Sequence, residues 1–332
     1  MGSAQPYPLA EITVRAAGPG PDPEAGRRRA AAVLAGPRHA RYSAVLRTAG
    51  GMTSLFDGRI YRPLRIETVA GRLAITVTDG SYFDFLDTSD VLGLETELGR
   101  RGDRPGREPY RRFLRDPFDL ANRVASLGIG VLTVRAAGER CTFFLHHRDP
   151  RHVAGSADLV AVVPAGEFAP SDISAEAVDN DRDLWRTVMR EYAEEFLGAE
   201  DAQGRGARWI DYDGEPPYRD LQDGLATGAV RVSVLGLGLE PLTWKPQLLT
   251  VCRIEAPLFD AVFGAMVRRN EEGTLLVGRG RGLPFDERTV TRYVSSPATA
   301  PSTRDTLRLA WRHRHHLGIG PPRADPEPLN VA

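Results

Sequence analysis

The sequence predicts an α/β (α+β) protein in which helices sandwich a mixed β-sheet, with an additional N-terminal β-rich region and C-terminal helices. Two observations predict this class. Short β-rich runs, such as LVAVVPAG at 159–166, alternate with helical patterns along the chain. The last third then carries helical patterns at 258–269, 285–293 and 302–317. At 332 residues and 42% hydrophobic composition, the chain can form one large domain or two ordinary ones.

The elements predict four regions in chain order. Residues 1–40 are rich in Gly, Pro, Ala and Arg, which predicts a flexible arm and a short helix. Residues 41–108 form a β-rich region, in which IYRPLRIETV and RLAITVTDG predict a hairpin around Ala70-Gly71. The stretch 82–99 indicates a turn and then a helix, and the polar loop 100–108 is the expected boundary.

Residues 109–320 make the main predicted domain, and the Pro-rich stretch 321–332 is predicted to be a disordered tail. RFLRDPFDLANRVAS, at 112–126, suggests a helical connector into two extended runs and the strand at 159–166. A helix is expected from about Tyr218, followed by two more β-rich runs.

Net charge, cysteine positions and apolar runs indicate which kinds of partner and location to expect. A formal net charge of -1 and a pI near 6.7 give no global field that would attract nucleic acid or an anionic membrane. Cys141 and Cys252 lie far apart and predict neither a disulfide framework nor a cysteine zinc site. No apolar run is long enough for a membrane span, and the first residues do not resemble a signal peptide, so a cytoplasmic location is expected.

The stretch REYAEEFLG, at 190–198, lies in an amphipathic helical pattern. A helix over 183–198 has one apolar stripe, formed by Trp185, Met189, Tyr192 and Phe196. The same spacing puts Glu191, Glu194 and Glu195 in one sector beside that stripe. Three carboxylates so placed repel one another unless a hard divalent cation such as Mg²⁺ lies among them. Glu194 or Glu195 would then be the catalytic base, and Arg190 would orient Glu194. The alternative is a solvated acidic helix that simply ends at Gly198.

These residues resemble the Nudix hydrolase family, whose box runs G-x5-E-x7-R-E-apolar-x-E-E-x-G-apolar. Arg190-Glu191-Tyr192-Ala193-Glu194-Glu195 matches the core of that box. The resemblance implies a Nudix-like domain in which Glu191, Glu194 and Glu195 bind Mg²⁺, or alternatively Mn²⁺, with Arg190 as their orienting partner. LVAVVPAG resembles the strand and turn that precede the box, which makes Gly166 the candidate box glycine.

The sequence also departs from the box. Two residues separate Glu195 from Gly198 where the family has one, and Arg182 stands where the first glutamate belongs. If Gly166 is the box glycine, the loop carries ten extra residues. Four acidic residues remain candidates for the missing acid: Glu167, Glu176, Asp181 and Asp183.

A looser resemblance, from about 61 to 318, is to a Nudix-related module of actinomycete proteins labelled transcriptional regulators. In those proteins the module often follows a helix-turn-helix domain. The first 60 residues show no convincing helix-turn-helix, so DNA binding is not implied.

Candidate substrate-binding residues are Gly166, Glu167, Lys245 and His147. Lys245, the only lysine of the chain, follows an aromatic residue and could hold a phosphate or a base, or be a plain loop lysine. On a strand, His146 and His147 point to opposite sides, so only one can face a ligand.

These observations leave three classes of function open. The first is a magnesium-dependent Nudix-type hydrolase that cleaves a phosphoanhydride in a nucleoside diphosphate derivative. The alternative is a catalytically degenerate Nudix-like module that senses a ligand or acts in regulation. A basic C-terminal helix suggests, as a third class, an interaction protein. The expected partner is a small nucleotide-like molecule, with no membrane and no nucleic acid, and a homodimer is one open oligomeric state.

Overall fold

The computed structural model describes residues 2–34, 41–48, 55–103, 109–148, 158–199, 209–269, 273–276 and 281–320. The predicted tail and most of the predicted boundary loop lie outside these residues. None of the helices in the described ranges is long and apolar enough to cross a membrane.

The elements follow in chain order. The strands are β1 Gly2–Pro8, β2 Thr13–Ala16, β3 Arg59–Val69, β4 Arg72–Ser81, β5 Gly128–Ala137, β6 Arg140–Phe143, β7 Leu145–Arg148, β8 Val160–Val162, β9 Ala165–Glu167, β10 Val230–Leu239, β11 Pro246–Glu255, β12 Gly273–Leu276 and β13 Leu283–Pro284. The helices are α1 Glu24–Ala31, α2 Tyr42–Thr48, α3 Tyr82–Phe85, α4 Val91–Arg101, α5 Tyr110–Leu114, α6 Ala175–Asn180, α7 Leu184–Leu197, α8 Tyr218–Thr227, α9 Ala256–Phe263, α10 Glu287–Ser295, α11 Pro301–Arg312 and α12 Arg314–Leu317. Short 3₁₀ turns cover Leu9–Glu11 and Ala32–Leu34, and a π-helix at Leu86–Asp90 joins α3 to α4.

The largest sheet is mixed, as predicted. Its strands run in the order β1-β10-β11-β5-β6-β13, and β9 also pairs with β5. The β11–β5 pair is parallel and its neighbours are antiparallel. Two smaller sheets have the orders β12-β7-β8 and β2-β4-β3. The α/β (α+β) class predicted from the sequence is confirmed.

Helices cover both faces of β5. Ile129 and Val131 lie in the apolar cluster that contains the stripe of α7, whereas Leu132 and Val134 lie in the cluster that contains residues of α11. Alternate side chains of a strand point to opposite faces, so burial on both sides favours a nearly continuous apolar run. The run GIGVLTV at the start of β5 has this composition except at Thr133, whose hydroxyl donates to Val163 O at 2.6 Å.

The start of the chain differs from the flexible arm that its composition predicts. β1 pairs with β10, and β2 pairs in parallel with β4. Tyr7, Leu9 and Ile12 are buried in the cluster that contains α7. The Pro/Gly content suggested an unpaired chain, but the partners of these strands lie far along the sequence, where composition gives no signal. The predicted short helix corresponds to α1.

The predicted hairpin around Ala70-Gly71 is present. β3 and β4 pair antiparallel up to Val69 and Arg72, and the two residues between them have φ of 49° and 78°. Two consecutive positive φ values are typical of the tight turns that match the twist of the flanking strands.

The predicted helical connector at 112–126 is helical only at its start, where α5 ends at Leu114. The rest is irregular and wraps around Arg123, whose side chain is fully buried. The Arg123 guanidinium donates to Ser89 Oγ at 2.8 Å, to Trp244 O at 3.0 Å and to Pro117 O. Burial lowers the pKa of Arg123 to about 10. These hydrogen bonds to side-chain and backbone oxygens replace the helical pattern.

Candidate functional site

The glutamate helix is α7, and its ends are those that the sequence predicts. Asp183 accepts hydrogen bonds from the backbone N–H groups of Trp185 and Arg186, which caps the first turn. Gly198 ends the helix with a φ of 70°, a conformation that glycine adopts without strain. The predicted stripe of Trp185, Met189, Tyr192 and Phe196 is buried against the large sheet. This packing fixes the direction in which the three glutamates project.

Arg190 is buried, and its guanidinium faces Asp181. The Arg190 Nη1 to Asp181 Oδ2 distance is 3.9 Å, and Arg190 also donates to the Ala169 carbonyl. Asp181 is 1% exposed and accepts hydrogen bonds from Ser171 N at 2.6 Å and Tyr212 OH at 2.8 Å. Burial lowers the pKa of Arg190, but the neighbouring acidic groups outweigh it and the pKa is raised. Arg190 therefore ties α7 to the chain segments on either side of α6.

Four acidic residues could replace the missing box glutamate. Of these, Asp181 is the one whose carboxylate forms an ion pair with Arg190. Asp183 caps α7, Glu176 is exposed on α6, and Glu167 pairs elsewhere. The sequence left these four open because the loop from Gly166 to α7 has no fixed length. The expected hydrogen bond from Arg190 to Glu194 stays a prediction.

Glu195 is buried, and its carboxylate meets both β9 and β7. The side chain accepts a hydrogen bond from Ala165 N at 2.6 Å, and its other oxygen lies 3.1 Å from His146 Nδ1. These two atoms are close but are not aligned as a hydrogen bond. Glu195 and His146 are 2% and 1% exposed. The sequence alone left open whether His146 or His147 faces the site. In the structure, His146 is the one that contacts Glu195 on α7.

Glu191 lies directly against β9. A Cβ atom built on Gly166 would stand 1.8 Å from Glu191 Oε1 and 2.0 Å from Cδ. Only glycine leaves room for this carboxylate at position 166. Glu191 and Glu194 are both partly exposed. The predicted residues Gly166, Glu191 and Glu195 thus come together around one short strand.

Lys245 and Glu167 form an ion pair on the other face of β9. Glu167 is the neighbour of Gly166, and consecutive strand residues point to opposite sides. A Cβ on Gly128, which pairs with Glu167, would lie 3.1 Å from Lys245 Cε. Lys245 follows Trp244, which has a φ of 56° and whose carbonyl is held by Arg123. The site is therefore divided by β9 into a helix side and a lysine side.

Two ionisable residues on the lysine side were not predicted. Asp90 ends the π-helix, and burial raises its pKa to about 6, whereas the positive charge of Lys245 acts in the opposite direction. Burial and the charges of Glu167 and Asp90 raise the pKa of Tyr82. A π-helical turn is often found at functional sites, but no sequence pattern predicts one.

His147 is not part of this arrangement. Its side chain is 46% exposed and its Nε2 lies 3.4 Å from Asp158 Oδ1, on the side of β7 away from His146. A role for His147 in binding a substrate stays a prediction.

The geometry does not fit a metal ion held by three glutamates. Within the described ranges, no group of three or more His, Cys, Asp or Glu side chains is arranged to hold a metal. Glu195 is turned to the Ala165 amide and to His146, while Glu191 and Glu194 are partly exposed. Binding of Mg²⁺ or Mn²⁺ by Glu191, Glu194 and Glu195 stays a prediction.

Comparisons with known protein families, sequences and structures do not identify a family for this chain. No protein-family model and no curated protein sequence matches the chain. A solved structure described as "Crystal structure of NUDIX hydrolase from Alicyclobacillus acidocaldarius" is similar at 15% identity, over 55% of this chain and 90% of that one, with a TM-score of 0.29. At that TM-score, the likeness carries no argument about the fold or the activity of this chain.

Proposed function

We propose that the protein is a Nudix-like ligand-binding module with a sensing or regulatory role, which binds a small nucleotide-like molecule at the glutamate helix. The observation that carries this proposal is the position of Glu195. Its carboxylate is buried and engaged by the Ala165 amide and by His146. Glu195 therefore links β9 and β7 to α7.

A catalytic metal at Glu195 would compete for its carboxylate with the Ala165 amide and with His146. If the partly buried Ala165 N–H lost its acceptor, the broken hydrogen bond would cost roughly 0.5–1.5 kcal/mol. The contact with His146, itself 1% exposed, would also be lost. These costs favour binding without metal-dependent turnover.

The ligand would meet the exposed edge of the helix. Glu191 and Glu194 are three residues apart, share one side of α7 and remain partly exposed. Ionised carboxylates only accept hydrogen bonds, so they suit hydroxyl or amino donors such as those of a ribose or a base. This is the chemistry that a nucleotide-like ligand offers.

A second candidate is hydrolysis of a phosphoanhydride in a nucleoside diphosphate derivative, with Glu194 as the base. The observation in its favour is that Glu191 and Glu194 are kept together and accessible beside the glycine at position 166. It requires a different arrangement of Glu195 from the one described here.

The test is a panel of nucleotides and nucleotide sugars, assayed with Mg²⁺, with Mn²⁺ and with EDTA. Release of phosphate, pyrophosphate or nucleoside monophosphate is measured beside binding by calorimetry, for the wild type, Glu194→Gln and Glu195→Gln. The sensing proposal expects a panel member that binds in EDTA, no turnover, and weaker binding by Glu194→Gln. Metal-dependent turnover that Glu195→Gln abolishes would replace it with the hydrolase.

A further inference from the structure

A cleft of about 430 Å³ lies at the carboxyl end of β5, beside α9. Its walls combine basic and apolar side chains: Arg135, Arg268, Arg281, Asp260, Phe259 and Phe263. The two phenylalanines are buried and form an apolar floor. Among the described residues, the lining of the cleft has three guanidinium groups and one carboxylate.

Arg135 is held in place within the cleft. Its Nε donates to Asp260 Oδ1 at 2.7 Å and its Nη2 donates to Asp260 Oδ2 at 2.5 Å. The hydrogen bond from Arg135 keeps the pKa of Asp260 below its ordinary value. This two-point pair neutralises one arginine and fixes the direction of its guanidinium.

The other two arginines provide the excess positive charge. Arg268 and Arg281 are exposed, and neither side chain makes a hydrogen bond or an ion pair with any residue in the described ranges. Their backbones are anchored, because Leu275 N donates to Arg268 O at 3.0 Å and Thr142 Oγ1 donates to Arg281 O at 2.6 Å. Two available guanidiniums on fixed backbone positions therefore flank one cleft.

The cleft is separate from the glutamate site. Gly166 pairs with Ile129 near the start of β5, and Arg135 lies six residues further along the same strand. At about 3.3 Å per residue, the two positions are roughly 20 Å apart. A ligand in the cleft would not touch β9.

We propose that this cleft is a second binding site, for a small phosphorylated molecule. Arginine presents a planar fork of donors that matches the oxygens of a phosphate group, and the excess charge of the cleft is positive. The phosphate lies between Arg268 and Arg281, and the remainder of the ligand packs on Phe259 and Phe263. A pyrophosphate group spans two guanidiniums better than a single phosphate does.

The test uses inorganic pyrophosphate, titrated calorimetrically into the wild-type chain at low salt. The double variant Arg268→Gln/Arg281→Gln should bind it at least about tenfold more weakly, because two charge-assisted hydrogen-bond partners are removed. The matched control, Arg15→Gln/Arg65→Gln, changes the net charge equally on exposed arginines of the three-stranded sheet. It should bind like the wild type.

Three outcomes overturn the proposal. The first is that millimolar pyrophosphate does not bind to the wild type. The second is an equal loss of affinity in the cleft variant and in the control, because it would indicate a general charge effect. The third is loss of binding in Lys245→Gln alone, because it would place the pyrophosphate on the lysine side of β9. Circular dichroism melts confirm that each variant is folded.

Discussion

Gly166→Ala tests whether the Glu191 carboxylate occupies the space beside β9. The added Cβ would stand 1.8 Å from Glu191 Oε1, whereas ordinary contact begins at 3.4 Å, so the carboxylate must withdraw by 3.4 − 1.8, about 1.6 Å. The yielding group is the end of a flexible side chain, and Gly166 has no positive φ. We expect the free energy of unfolding to change by no more than about 1 kcal/mol, because the smaller entropy of the unfolded chain offsets the displacement.

Ligand binding should respond far more than stability. Moving the Glu191 carboxylate removes a charge-assisted hydrogen bond, so the panel member that binds the wild type should bind about tenfold more weakly or worse. In a Glu191→Ala background, Gly166→Ala should cause no further loss, since the displaced group is already gone. Further loss in that background would contradict the steric explanation.

Gly26→Ala is the matched control for stability. Its added Cβ would lie 1.6 Å from the backbone oxygen of Asn122, which cannot rotate away. We expect a loss of about 3 kcal/mol or more in urea unfolding, because backbone must move. The reasoning fails if Gly166→Ala loses as much stability as Gly26→Ala does.

Three further outcomes are expected. Arg190→Met leaves Asp181 buried without its cation and should cost about 3–5 kcal/mol in urea unfolding, with a coupling to Asp181→Asn of about 1–3 kcal/mol; strict additivity would contradict the pairing. Because burial raises the pKa of Asp90 to about 6 in the folded chain, the folded state binds more protons than the unfolded state between about pH 4 and 6. Asp90 should therefore contribute a fall in stability of at most about 3 kcal/mol as the pH rises through that window, and Asp90→Asn should remove this contribution from the measured slope. Burial raises the pKa of Cys252 to about 12 and also raises that of Cys141, so both thiols should resist a thiol reagent such as Ellman's until the chain unfolds; rapid native labelling would show that they are accessible.

The glutamate helix could be predicted almost residue by residue. Its apolar spacing, its capping aspartate and its terminal glycine are all local signals, and α7 has the expected ends. The direction of each glutamate was not predictable, because it depends on β9 and β7, which approach from outside the helix. Glu195 turns to Ala165 and His146, two contacts that a helical projection does not show.

The residue that takes the place of the missing box glutamate could not be identified from the sequence either. Four candidate acids were visible in the sequence, and Asp181 was singled out only by its distance to Arg190. Choosing among them needed the path of the loop and of α6, which no pattern of spacing defines. The π-helix and the buried Arg123 were missed for a related reason, since both depend on carbonyl and hydroxyl groups distant in sequence.

The pairing of β1 with β10 bears on the synthesis of the chain. Tyr7 lies opposite Val234, 234 − 7 = 227 positions later. A ribosome adding about 5–20 residues per second would release the first strand roughly ten seconds or more before its partner exists. Until then, the backbone of β1 lacks its pairing partner. Closure of the large sheet is therefore a late event, and a chain halted before residue 230 should retain a protease-sensitive amino-terminal end.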